Sequence, residues 1–394
     1  MALGRLVNSG VDVLVVGGGP GGCASAIWAA RAGLKVRLLE RACFPRHRPG
    51  ETLHPGAGVI LSQLGVTDAV AEETTMRHVG HTVSWGRHSG VHRFGADESG
   101  PWMGYQIRRE RLDAILLAKA RELGVQVTQP EAAIGPLVHE GRVVGVRGRK
   151  SLHARYVIDA SGSRGWMRRH LGLAVRARSP SLRAHYGYCE GPIEAGAGLP
   201  SLCADHLGWT WVASIAPGQI HWTRLVFDPA STAREPPGEL TGMPALGPVR
   251  GADVTWRCVP DCAGAGYFLV GDAAALLDPV SSHGVLRALM SGMMAAHAAV
   301  QVGSGAVPEG SATAQYRTWV TSWFEQDVRR LRELYAELDP VPDWIAHPPL
   351  PAANGWPYPL DRRERFDRKR LEPRETKEFA SDKRTPSSID HTSM

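Results

Sequence analysis

The chain has six cysteines, at 23, 43, 189, 203, 258 and 262, yet no C-x-x-C pair and no metal-ligand spacing. Cys258 and Cys262 stand four apart without a Cys or His pair nearby. That pattern argues for reduced thiols of a cytoplasmic protein and against a metal site. A long Lys/Arg block is also missing. Of the formal charge of +6, residues 357–394 supply +2 through ten Lys/Arg against eight Asp/Glu, and the remainder is thinly spread. Nucleic-acid binding needs a clustered basic face, so no such partner is expected. No apolar run approaches a membrane span, the opening MALGRLVNSG lacks a secretory apolar core, and no repeat is found. What remains is ordinary globular composition, 43% hydrophobic and 21% charged over 394 residues, enough for one large or two interleaved domains.

The most informative stretch is Val11–Glu40, VDVLVVGGGPGGCASAIWAARAGLKVRLLE. Val11–Val16 reads as a buried parallel strand, Cys23–Ala32 as a helix closed by Gly33, and Leu34–Leu39 as a second strand ending on Glu40. Gly17, Gly19 and Gly22 hold the spacing G-x-G-x-x-G. The first allows a tight turn, the second lets a pyrophosphate approach the backbone, and the third permits close helix–strand packing. A helix N-terminus attracts anions, and Glu40 falls where a carboxylate accepts hydrogen bonds from an adenosine ribose. These residues predict a dinucleotide site and leave open which dinucleotide. Arg41, Arg46, His47 and Arg48 follow in a proline- and glycine-broken loop and are expected to face its phosphates.

Further along, Ala57–Leu64 and Arg108–Glu122 read as helices, the latter with Leu112, Ile115, Leu116 and Ala120 on one face. His81–Arg93 reads as a hairpin or two short strands, and Val125–Val127, Val143–Val146 and Tyr156–Ile158 as strands. From Arg183 to Phe227 the pattern is antiparallel: Trp209, Trp211 and Ala213 alternate with Thr210, Val212 and Ser214. Pro217-Gly218 turns the chain, and Ile220, Trp222 and Arg224 continue on the return strand. Tyr267–Val270 is another strand, followed by helices over Gly284–Val302 and Ala314–Leu338. The aromatic stripe Tyr316, Trp319, Trp323 and Phe324 reads as core packing.

Gly17-x-Gly19-x-x-Gly22, Asp159-Ala160-Ser161-Gly162, and Gly271-Asp272-Ala273-Ala274 with Asp278-Pro279 together resemble the FAD-dependent monooxygenase superfamily. That superfamily shares the glutathione-reductase-type FAD fold of p-hydroxybenzoate hydroxylase, geranylgeranyl reductases and tryptophan halogenases. The resemblance covers roughly residues 10–300 and implies an α/β chain with a discontinuous FAD-binding Rossmann domain at 10–75, 101–172 and 255–305. An inserted antiparallel substrate domain would take 76–100 and 173–254. C-terminal helices would occupy 306–347 and a disordered tail 348–394. The resemblance further implies that Gly17, Gly19, Gly22, Glu40, Arg48, Arg109, Asp159, Gly271, Asp272, Pro279 and Gly284 hold FAD. Of these, Glu40 would meet the ribose, Asp272 the ribityl chain, Arg109 the phosphates, and Pro279–Gly284 the ring.

Pro49-Gly50-Glu51, Trp209-x-Trp211 and Asp278-Pro279-Val280 look nearest the halogenase branch. His81, however, stands where a halogenase has its catalytic lysine, and the halide turn Phe-Ser-Ser-Gly reads Ser281-Ser282-His283-Gly284. Pro45–Gly56 and Asp278–Met294 also resemble flavoproteins that mature tryptophylquinone cofactors. The expected function is therefore hydroxylation of an aromatic, indole-type substrate through a flavin C4a-(hydro)peroxide. The substrate would be a small molecule or a peptidyl tryptophan of a precursor protein, with O₂ as co-substrate. Without a second G-x-G-x-x-G, the flavin would be reduced by NAD(P)H directly or by a partner flavin reductase. Histidine suits the proton transfers, and His283, His54 and His81 are the candidates. Trp209, Trp211 and Trp222 would stack on the substrate. A halogenase, a geranylgeranyl-type reductase and an FAD-containing maturation chaperone are the alternatives.

Overall fold

Val13–Val16 is buried at every position, as befits a strand covered on both faces. In the computed structural model, which describes residues 10–191, 198–228 and 236–346, it lies inside a six-stranded sheet. The order is Gln126–Thr128, Val36–Leu39, Val13–Val16, Tyr156–Asp159, Tyr267–Leu269 and Ala263–Gly264, all parallel except the last. Register makes Thr128, Leu39, Val16, Asp159 and Leu269 level, so five carboxyl ends form one rim. Gly17, Glu40, Ala160 and Val270 follow directly from that rim. Ligands of open parallel sheets bind at such a rim. The expected tail, 348–394, lies outside the described residues.

The first helix is Pro20–Arg31, beginning three residues before the expected Cys23. Proline at the first helical position forfeits no hydrogen bond, so Pro20 starts the helix where the sequence reading placed a loop. Gly17 has φ +109°, and a Cβ there would lie 2.3 Å from the Ala160 carbonyl oxygen. At Gly22 a Cβ would meet the Gly17 oxygen at 1.9 Å. Both are contacts that only glycine permits. A third close approach was not legible in the motif: Gly21 and Gly292 cross where this helix packs on Gly284–Gly303, and a Cβ on Gly292 would sit 2.1 Å from the Gly21 oxygen. A short helix over Thr67–Glu73 also escaped the sequence reading.

Gly284–Gly303 is long and apolar enough to cross a membrane by length and composition alone. Its Leu289, Met293, Ala295, Ala296 and Ala299 are instead buried in the core. Glu309–Tyr335 packs against it, with Tyr316, Trp323, Phe324 and Leu331 buried as expected of a core stripe and Trp319 half-buried. This helix starts after Pro308 rather than at Ala314.

The second sheet has seven strands in the order Arg250–Asp253, Arg183–Glu190, Gln219–Val226, Gly208–Ala216, Ser201–Asp205, Gly80–Trp85 and His88–Arg93. All neighbours are antiparallel except Ser201–Asp205 beside Gly80–Trp85. Pairing sets its two faces. Tyr188 pairs His221, Tyr186 pairs Thr223 and Ala184 pairs Leu225; across the next ladder, Ala213, Trp211 and Trp209 meet those same three partners. That face turns toward the parallel rim. Trp222 pairs Gly187 and Val212 and points the other way, into a small cluster with Cys189, Val212, Ile220 and Leu240.

Replacing Gly292 by Ala should overpack this helix crossing and cost about 1–3 kcal/mol. Gly303→Ala in the same helix, where the nearest atom is Arg155 Nη1 at 3.7 Å, should be near neutral. Urea unfolding midpoints of the two variants check this.

Candidate functional site

A cavity of about 810 Å³ runs from Glu40 and Glu131–Ala133, past the glycine loop and Asp272, to Pro279–Gly284 and the antiparallel sheet. It is large for a single small ligand and within the range of cofactor sites. At one end Glu40 is buried, and both its oxygens are already engaged. Oε2 accepts the Gly18 N–H at 2.7 Å and Oε1 the Ala42 N–H at 2.9 Å. These bonds hold the carboxylate on the cavity wall with lone pairs to spare for ribose hydroxyls.

Beside it, one buried acid organises the cations. Asp113 is fully buried; its Oδ1 accepts Arg109 Nε at 2.7 Å, and its Oδ2 lies 3.4 Å from Arg46 Nη2. Arg109 also donates to the Pro49 carbonyl at 3.1 Å. Burial works against the Arg109 charge, but the Asp113 carboxylate outweighs it and raises the pKa. For Arg48 burial acts with Arg46 and Arg109 to lower it. Three guanidiniums thus crowd around the glycine loop, with Arg46 Nη2 3.4 Å from where a Gly19 Cβ would stand. Arg46 Nε is buried without a hydrogen-bond partner. Crowded cations, an orphaned donor and an open glycine wall fit a diphosphate. The basic loop pointed to Arg46, whose place beside Asp113 only the fold reveals.

Asp159 serves differently from the expected direct contact. Its buried carboxylate accepts the Ser161 and Met167 N–H groups at 2.9 and 2.8 Å, and it braces the turn while Ala160, Ser161 and Gly162 line the cavity. Gly22 likewise packs helix on strand and does not line the cavity. Gly17, Gly19, Arg48, Arg109, Gly271, Asp272, Pro279 and Gly284 do line it. Asp272 opens onto the cavity yet is ringed by protein. The resulting desolvation raises its pKa against the pull of Arg109, Arg257 and Arg48.

At the far end the charges are paired, with Arg287 Nη2 3.0 Å from Asp327 Oδ2 on the cavity wall. Asp278 caps the turn Pro279–Ser281 by accepting the Val280 N–H at 2.9 Å and the Tyr335 hydroxyl; Tyr335 in turn accepts Trp209 Nε1 at 2.8 Å. Burial lifts Asp278 to about 6. Ser282 then takes a left-handed conformation, φ +55°, and His283 precedes the first residue of the Gly284–Gly303 helix. His283 lines the cavity; His54 and His81 stand behind it. His54 packs 5.2 Å from His283 and 5.5 Å from Phe94, and His81 lies 5.9 Å from Phe94 and 5.7 Å from Trp211, ring centre to ring centre. His54 and His81 therefore meet on Phe94, with His78 beside the same ring, and His283 joins them through His54. Burial lowers the pKa of all four, to about 4 for His81 and His283, so these imidazoles are neutral near pH 7.

Trp209 and Trp211 line the cavity. Trp222 does not and is corrected: strand alternation puts it on the opposite face of the sheet. The residues that share the cavity face with Trp211 are Tyr186, His221 and Thr223, which only the pairing register identifies.

The sequence matches the model of the FAD binding domain family over residues 10–333. It is 29% identical over 347 residues to a tryptophan 2-halogenase from Chondromyces crocatus, covering 78% of this chain and 65% of that protein. The chain thus spans just under two thirds of that relative's length. It is equally 29% identical over 333 residues to a menaquinone reductase from Mycobacterium tuberculosis, covering 74% of this chain and 76% of that one. The structure of the myxobacterial chondrochloren halogenase CndH superposes with a TM-score of 0.77 at 28% identity over 82% of each chain. Glycine loop, acid and arginine cradle are those an FAD requires, and Glu40, Arg46, Arg48, Arg109 and Asp272 would hold it.

Asp113→Asn should release both arginines. Hydrogen bonds to charged groups are worth about 1.5–3 kcal/mol, so the Kd for FAD should rise roughly tenfold to a hundredfold, read by flavin fluorescence titration of apoprotein. A separate expectation concerns acid. His283 and His81 titrate near 6.5 when unfolded and about 4 when folded, so the unfolded chain binds more protons between these values. Their contribution to stability rises with pH through that window. Asp278, at 3.8 unfolded and about 6 folded, acts in the opposite sense. His283→Asn should therefore flatten the rise of Tm with pH between about 4 and 6.5, and Asp278→Asn should steepen it, in thermal melts across that range.

Proposed function

Because the chain belongs to the FAD binding domain family, we propose that it is an FAD-dependent monooxygenase that adds oxygen to an electron-rich aromatic ring. The observation that carries this reading is the pairing of a neutral imidazole, His283, with an aromatic wall of Trp209, Trp211 and Tyr186 on one cavity. When bound and reduced, FAD supplies electrophilic oxygen derived from O₂. The chain does the rest. The cation cradle anchors the diphosphate end, the sheet face seats an aromatic ring, and apolar walls exclude water. Neutral His283 accepts the proton released at the reacting carbon, because only the unprotonated ring offers a lone pair.

The histidine end also favours oxygenation over halogenation. His81, at the position of the halogenase lysine in the resemblance, packs against Trp211, His92 and Phe94, and offers an aromatic nitrogen in place of a flexible amine. The turn Ser281–Gly284 substitutes His283 for a small serine. An indole-type ring suits this wall, either free or as a peptidyl tryptophan of a precursor protein. Electrons would come from NAD(P)H directly or through a partner flavin reductase.

The test is to incubate the purified flavoprotein with NADH, a flavin reductase, O₂ and bromide, and with indoles, tryptophan peptides or a prenyl quinone, and to read product masses. Addition of oxygen to an aromatic substrate is expected. Bromination, or anaerobic hydrogenation of the prenyl chain, would overturn the reading. His283→Asn should lower the oxygenation rate about 10²-fold or more while the protein keeps its yellow colour.

A further inference from the structure

One wall of the cavity carries a polar group that the flavin-facing turn does not account for. His221 is buried, lines the cavity, and stands on the cavity face of the antiparallel sheet between Tyr188 and Ala213. Its Nδ1 is enclosed by protein, has no hydrogen-bond partner, and points at Glu51 Oε2 across 3.7 Å. Glu51 is itself buried and fixed from two sides: Tyr188 donates its hydroxyl to Oε1 at 2.6 Å, and the Gly50 N–H donates to Oε2 at 2.7 Å. The other ring nitrogen, Nε2, lies 3.5 Å from the Thr223 hydroxyl, another cavity-lining group.

We propose that His221 is a second catalytic residue, which accepts the proton of a ring O–H or N–H on the substrate, and that Glu51 and Tyr188 are the positioning residues that aim it. The argument is one of tautomer. A carboxylate facing Nδ1 favours the proton there, and this leaves the Nε2 lone pair to the cavity. Separations of this kind are long in empty sites and shorten when substrate arrives. The transfer is a simple one: the substrate O–H or N–H bond breaks, its electron pair stays on the ring, and Nε2 gains the proton. The imidazolium formed then faces the Glu51 carboxylate, while the ring becomes more electron-rich at the carbons conjugated to the heteroatom. Burial lowers the His221 pKa and Glu51 opposes that, so the ring stands in its neutral, accepting form near pH 7. The substrate class narrows to phenols, indoles and related rings that carry an ionisable hydrogen; a ring without one has nothing to offer this wall.

The inference rests on the aromatic-substrate reading, and its test does not use oxygenation. Oxidised holoenzyme is titrated with para-nitrophenol, whose anion absorbs in the visible, over a series of pH values. Binding to the native protein should lower the apparent pKa of the phenol by about one unit or more. Glu51, Tyr186, Tyr188 and His47 lie around His221, with Arg250 and Arg48 close to Tyr186, so the shift is assigned by variants. His221→Asn should abolish it. Glu51→Gln should reduce it, with the urea midpoint recorded alongside to separate loss of fold from loss of aim, and Tyr188→Phe should give an intermediate value. An unchanged shift in His221→Asn, or no binding of the phenol to native protein, overturns the proposal. Lost shifts in a protein that proves to halogenate an aromatic ring leave the proposal standing while the monooxygenase reading falls, whereas hydrogenation of a prenyl chain overturns both.

Discussion

The backbone contact between Gly17 and the Ala160 carbonyl, where a single added carbon would sit 2.3 Å from oxygen, is the constraint on which the rest depends. It brings the ends of two parallel strands together and sets where the first helix starts. Gly22 closes the same loop against Gly17, and its neighbour Gly21 meets Gly292. Through that crossing the helix that offers its N-terminus to a diphosphate is packed against the helix whose first turn follows His283. Phosphate anchor and histidine end are therefore parts of one stiff assembly, since interiors packed this tightly transmit displacement. A shift at either end is felt at the other.

Electrostatics divide the cavity along its length. Near the glycine loop the acids have structural duties: Glu40 and Asp159 accept backbone N–H groups, and Asp113 holds two arginines. The cations left facing the cavity suit an anionic cofactor. Beyond Asp272 the character changes to imidazoles that burial keeps neutral, indoles, and a carboxyl of Asp278 lifted to about 6. Cations thus crowd at one end, and neutral imidazoles suited to the proposed proton exchange stand at the other. In the proposed function, such a division separates holding the flavin from acting on a ring.

How much of this could be read from sequence follows from distance along the chain. The glycine spacing, Glu40, the acidic turns and the helix of Arg109 and Asp113 are local, with periods of two to four residues, and they were legible. Trp222 was misplaced because side chains alternate along a strand. A choice of partner that is off by one residue reverses every face, and the pairing of Trp211 with Thr223 cannot be read from either strand alone. Pro20 began a helix that its residue type had seemed to interrupt. His54, His81 and His283 were each picked out, but the contact of His54 with His283 joins segments more than two hundred residues apart. Asp278 was visible as part of a motif, whereas its partner Tyr335 on the last long helix was not.

The same reasoning bears on what distinguishes this chain from its relatives. Identity of 29% to both a halogenase and a menaquinone reductase says that the frame tolerates either outcome, so the discriminating residues must be few and placed where substrate lies. In the proposed function they are the turn at Ser281–Gly284 and the sheet face from Trp209 to His221. A reductase acting on a prenyl chain has no use for a buried carboxylate aimed at an imidazole, and burying both groups is costly unless they are paired. Glu51 is held by Tyr188 and Gly50 at hydrogen-bond distance while its approach to His221 stays open at 3.7 Å. That cost is consistent with a wall that recognises a polar hydrogen, and aromatic rings bearing O–H or N–H are the substrates that supply one.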